Sequence, residues 1–109
     1  MLHSYKELLV WQKGMQIAEA CYILTRGFPK SKIYGMTSQI RRAGSEIPAN
    51  IAEGYGRGHR LEYVHFVRIA NGSLNELENH LLLSVRVSPS PSKPSTLDPG
   101  PFLNPFLIS

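Results

Sequence analysis

One cysteine, Cys21, is the only thiol the sequence offers; this excludes an intrachain disulfide framework and fits a reducing compartment. No apolar run approaches the roughly 18 residues of a membrane span. The start, MLHSYKELLVWQKG, has no apolar stretch followed by a small-residue cleavage site. These absences predict a soluble, cytoplasmic protein without a membrane partner. Strand-type alternation is missing before residue 84, and no segment repeats, which leaves helices. Also missing is a nucleophile with its base, or paired carboxylates that a cleft would bring together. The expectation is a non-enzymatic protein that needs no cofactor.

What is present is enough for one domain and not comfortably for two: 109 residues, 42% hydrophobic and 18% charged. The charge is unevenly spread. Residues 1–87 carry eleven of the twelve Lys and Arg and seven of the eight Asp and Glu, so the whole net charge of +4 lies there. Residues 88–109 hold one charge of each sign and six of the eight prolines, at 89, 91, 94, 99, 101 and 105. That density suits neither helix nor central strand, and the segment is expected to be disordered or extended. The expected organisation is a helical domain over 1–87 followed by this tail.

Three amphipathic segments fill the domain. In the first, Leu8, Trp11, Met15, Ala18 and Tyr22 step by three and four, and Ile17, Cys21 and Leu24 widen the stripe. Ser4 is the expected N-cap, and GFP at 27–29 the stop, with Gly27 available for a left-handed cap. This predicts a helix over about 5–26. The second carries Met36, Ile40, Ala43, Ile47 and Ile51. Pro48 lies within it, but the apolar period keeps its phase from Ile47 to Ile51, and Ala43, Gly44, Ser45 and Ala49 leave room to bend. The expectation is one kinked helix over about 31–55. The third follows Tyr63, Phe66, Ala70, Leu74 or Ser73, Leu77 and Leu81, predicting a helix over about 59–85. Three such helices with short connections read as an antiparallel all-α bundle.

Few candidate sites survive weighing. GYGRG at 54–58 looks like a phosphate loop, but such loops follow a strand and open a helix, whereas this one closes a helix; it reads as a C-cap turn. Glu62 and His65 have the spacing of a di-metal bundle motif, yet no second copy exists, so they read as a surface pair and no metal is expected. Cys21 sits on an apolar edge and reads as core, not nucleophile. Asn50, Asn71, Ser73 and Asn75 bring polar groups onto apolar helices and, where covered, require partners in this chain or another.

The arginines say most. Arg42, Glu46 and Asn50 repeat at four, as do Glu53 and Arg57, so ion pairs along a helix flank are one explanation. The other is a basic patch: residues 26–68 hold eight basic against three acidic residues, a net of +5. Such a patch neutralises phosphates of RNA or DNA without reading base sequence. Arg41, Arg42, Arg57 and Arg60 are the residues expected to make those contacts.

The runs LLVWQKGMQIAEACYILTRGFP, YGMTSQIRRAGSEIPANIAEGYGRG and EYVHFVRIANGSLNELENHLLL closely resemble the bacterial four-helix bundle proteins known as 23S rRNA intervening-sequence proteins, over about residues 5–83. The central run is the most specific, with Gln39, Ile40, Arg41, Arg42, Ala43, Ile47, Pro48, Asn50, Ile51, Ala52, Glu53 and Gly54 as that family has them. The resemblance implies an antiparallel bundle assembled as a ring-like homopentamer. It also implies a likeness to the basic accessory proteins of diversity-generating retroelements, which associate with nucleic acid and a reverse transcriptase. Family members continue into a fourth amphipathic helix where this chain runs into SVRVSPSPSKPS. That change looks like a reading-frame shift near residues 84–87 or a truncated gene copy. The fourth helix is then expected to be missing or replaced by the tail, leaving apolar faces of the first and third helices partly bare. The alternatives to nucleic-acid binding are a structural protein–protein interaction module and a non-functional truncated copy.

Overall fold

The structure, a computed structural model, describes residues 4–87, without the side chains of residues 30–34. The expectations for the 88–109 tail lie outside the described residues. Within them the fold is all-α: a short 3-10 turn at Tyr5–Glu7, then α1 (Leu9–Thr25), α2 (Lys30–Gly56) and α3 (Arg60–Arg86), with no strand among the described residues.

The first helix starts later than expected. Ser4 does act as a cap, its hydroxyl accepting from the Lys6 amide at 3.1 Å, but it caps the 3-10 turn, and extended backbone at Leu8 (φ −73°, ψ 127°) separates that turn from α1. Local bonds hold the turn against the helix. The Gln12 side chain donates to the Lys6 carbonyl at 3.0 Å, and Tyr5 meets Trp11 edge-on at 5.3 Å. The break lets Leu8 pack against the core.

The end of α1 also differs from expectation. Gly27 does not take the left-handed conformation; the amides of Gly27 and Phe28 donate instead to the carbonyls of Leu24 and Thr25, at 3.4 and 3.1 Å. Pro29 then caps α2, where its fixed φ and lack of an N–H fit a helix start. The left-handed glycine is Gly58 (φ +67°), so GYGRG closes α2 as a C-cap turn.

Pro48 does not end α2, which runs through it from Lys30 to Gly56. The proline is buried at the crossing with α1, where a side chain on Gly14 would lie 3.4 Å from Pro48 and 3.3 Å from Ile47. Less than two turns further along α2, Gly54 touches α3: a Cβ there would fall 2.7 Å from the Phe66 Cβ and 3.3 Å from the Tyr63 main chain. Gly44, about one turn before Pro48, meets α1, with a Cβ position 2.7 Å from Cys21 Sγ.

These close approaches shift the buried stripe of α1. The sequence period picks out the large residues Trp11, Met15 and Tyr22, but the buried positions are Gly14, Ala18, Cys21 and Thr25. A tight crossing selects residues small enough to let two backbones approach, and Tyr22 is left 45% exposed. Ser73 is likewise buried and Leu74 only partly so.

α2 is the centre of the molecule. It packs antiparallel to α1 and to α3, and supplies Ile40, Ala43, Ile47 and Ile51 to a core completed by Cys21, Ala70, Leu77 and Leu81. α1 and α3 share no substantial contact. Ile17 on α1 and Leu74, Leu82 and Val85 on α3 are only partly covered, and Val10, Leu24 and Val64 are exposed beside them. Val10, Ile17 and Leu24 are spaced by seven, one line along a helix. The described buried polar groups all have partners: Thr25 bonds the Cys21 carbonyl, Ser84 the Leu81 carbonyl and Ser73 the Glu46 carboxylate.

Candidate nucleic-acid interface

Arg41 and Arg42 are neighbours, so a helix points them about 100° apart. Arg42 turns to α3. It forms an ion pair with Glu76, donates to Glu46 at 3.1 Å, and makes two bonds to Gln39 at 2.8 and 3.2 Å. The bond to Arg42, with a smaller contribution from His80, lowers the Glu76 pKa, and the same bond raises that of Arg42. Glu46 also accepts from Ser73 at 3.3 Å and its main-chain carbonyl from the Asn50 amide at 2.8 Å. Asn50 and Ser73 therefore find their partners within the chain; Asn71 and Asn75 are exposed.

Arg41 turns to α1. Its Nε donates to the Thr25 hydroxyl at 2.8 Å, that hydroxyl donates to the Cys21 carbonyl at 2.7 Å, and the guanidinium lies 4.7 Å from the centre of the Tyr22 ring. No described carboxylate pairs with it. Its two terminal nitrogens keep their donors while the Nε bond and the ring fix its position.

Arg57 and Arg60 stand at the other end of α2, about 24 Å from Arg41 at 1.5 Å per residue. Arg57 donates to Glu53 at 2.9 Å, approaches Glu62 at 3.8 Å and covers the Phe66 ring at 4.9 Å, clamping the α2–α3 turn. Arg60 is exposed at the start of α3, without a described carboxylate partner, on the rim of a cleft of about 490 Å³. The four arginines thus do not converge. Two are tied into ion pairs and two are not.

The structure adds Arg26. A cleft of about 670 Å³ opens between the end of α1 and α2, lined by Arg26, Arg41 and Arg42 with the hydroxyls of Thr25, Thr37, Ser38 and Ser45, and by no carboxylate. Arg26 follows Tyr22 by four residues, so both edge one face of α1, but only the antiparallel register of α1 on α2 brings them to Arg41. Arg42 commits its guanidinium to Glu46 and Glu76, so the charge that favours anions in this concavity comes from Arg26 and Arg41.

The other candidates resolve structurally. Cys21 is buried, its thiol pushed up to about 11 by desolvation, which marks a core residue. Glu62 pairs with Arg57, and His65 is exposed with its ring edge-on to Phe66 at 5.2 Å.

A family model described as 23S rRNA-intervening sequence protein matches residues 6–93. The chain belongs to this family. The match covers the whole helical part and runs ten residues past the expected limit at 83, across the point where periodicity and charge fall away. No curated protein matches the chain. Among the described residues no helix is long and apolar enough to cross a membrane.

Proposed function

We propose that this member of the 23S rRNA-intervening sequence protein family is a non-enzymatic helical protein that binds nucleic acid through an unneutralised cationic surface, without reading base sequence. The reading rests on the sorting of the arginines. Arg42 and Arg57 are answered by Glu46, Glu76, Glu53 and Glu62, whereas Arg26, Arg41 and Arg60 have no described carboxylate partner. The basic excess of the chain therefore includes arginines that are free to meet phosphate. Titrating labelled RNA and DNA with the protein at several salt concentrations tests it. Affinity is expected to fall steeply between about 50 and 200 mM salt and to differ little between unrelated base sequences. No binding at the lowest salt defeats the proposal.

A second reading, self-association, is supported by a different observation: the partly bare apolar strips of α1 and α3, including Val10 (45% exposed), Leu24 (37%) and Val64 (37%). We propose that copies of the chain cover these strips, the homopentamer implied by the resemblance being the expected form. Sedimentation velocity across a concentration series measures this. A monomer at every concentration rules it out.

A further inference from the structure

The cationic cleft does not end at Arg26. A second cleft of about 550 Å³ shares the walls Tyr22, Arg26 and Ser45 with it and continues along the same α1–α2 groove past Ile23, Pro48 and Ala49. The first cleft is lined by Arg26 and Arg41, which have no described carboxylate partner, and by hydroxyl side chains; the second has far less polar lining, and Glu19 stands at its edge. Tyr22 marks the change from one to the other. Arg41 lies over the ring, yet Tyr22 remains 45% exposed and Ile23 61% exposed.

Two adjoining clefts of this kind fit a ligand that is anionic at one end and flat and apolar at the other. We propose that the groove takes one nucleotide unit of a single-stranded nucleic acid, its phosphate at Arg26 and Arg41 and its base against Tyr22, Ile23 and Pro48. Glu19 fixes the polarity, because its carboxylate repels phosphate from the apolar end. Paired bases in a duplex are stacked on their neighbours and cannot enter, so the site discriminates single strand from duplex. Positive grooves with aromatic platforms bind single strands in this way, tolerating any base because every base has a π-face. The inference rests on the nucleic-acid reading above and adds to it a strand preference and a site.

The test compares three labelled ligands of equal length by fluorescence anisotropy at low salt: a single-stranded RNA, its blunt duplex, and an abasic strand that keeps the phosphates without the bases. The single strand is expected to bind more tightly than either of the others. Tyr22→Ala should weaken single-strand binding by about 5- to 150-fold, the range that loss of a stacked base produces, while Tyr22→Phe keeps it. Arg26→Ala should weaken binding and reduce the salt slope by about 0.7, one single-strand phosphate contact. Equal binding of the abasic strand, or of the duplex, overturns the nucleotide site while leaving a salt-dependent phosphate binder intact. Failure of all three ligands to bind overturns the nucleic-acid reading itself. The abasic comparison uses the unaltered chain, so the outcome stands even where a Tyr22 variant does not fold.

Discussion

Along the seam between α2 and α3, arginine meets carboxylate: Arg42 lies between Glu46 and Glu76, and Arg57 between Glu53 and Glu62. Along the seam between α1 and α2, Arg41 meets a hydroxyl and a tyrosine ring, and Arg26 meets no described carboxylate. Both seams belong to the same helix. One residue of helical phase sends Arg41 to one and Arg42 to the other. Neighbouring arginines can therefore have opposite roles, one clipping two helices together and one held in place with its donors unspent.

The seams also differ in how they can yield, and glycine variants should separate them most strongly. A methyl on Gly54 lands 2.7 Å from the Phe66 Cβ and 3.3 Å from Tyr63 main-chain atoms, which cannot move without shifting α3. A methyl on Gly44 lands 2.7 Å from Cys21 Sγ, a side-chain atom. Overpacking typically costs about 1–3 kcal/mol, against a gain of up to about 1 kcal/mol in helix propensity. In denaturant titrations Gly54→Ala should lose about 2 kcal/mol and Gly44→Ala about 1 kcal/mol. Adding Cys21→Ala to Gly44→Ala should recover part of that loss, because the obstructing sulfur is gone. A neutral Gly54→Ala would mean that the α2–α3 seam is not the rigid one.

A crossed comparison of arginines comes next in size. Arg41→Ala should weaken single-strand binding about fivefold and lower the salt slope by about 0.7, as loss of one phosphate contact does, with little change in melting temperature. Arg57→Ala should do the reverse: affinity is retained, and stability falls by about 1 kcal/mol or less, the usual range for exposed ion pairs. Equal losses of affinity from both substitutions would erase the distinction between the seams.

Much of this was readable from residue order. The three helices, the passage of α2 through Pro48 and the C-cap role of GYGRG follow from periodicity and from the chemistry of proline and glycine. The buried phase of α1 does not, because hydrophobic period weights large side chains, while the crossing with α2 is decided by Gly14, Ala18 and Gly44. The same shift frees Tyr22. The site is legible to a lesser degree. The spacing of Arg42 with Glu46 and of Arg57 with Glu53 announces the ion pairs within α2, but Glu76 and Glu62 come from α3, and Arg26 reaches the cleft only through the register of α1 on α2. Contacts between helices need a register that no single helix encodes.

The smallest expected effect concerns Glu76 and sharpens the comparison through pH. Its hydrogen bond to Arg42, with a lesser one to His80, holds its carboxyl below the usual range in the folded chain. The unfolded chain therefore binds the proton more readily. The stabilisation is complete above the unfolded pKa of about 4.3 and is lost as pH falls through the lower folded value. Glu76→Gln should accordingly flatten part of the acid limb of a stability–pH curve below about pH 4.3 and cause only a small loss near neutrality. The pair is solvent-exposed, with side chains 42% and 38% accessible, so salt should shrink the difference between the two curves. Superimposable acid limbs at low salt would show that the Arg42–Glu76 pair adds nothing to the α2–α3 seam, and the contrast with α1–α2 would then rest on glycine packing alone.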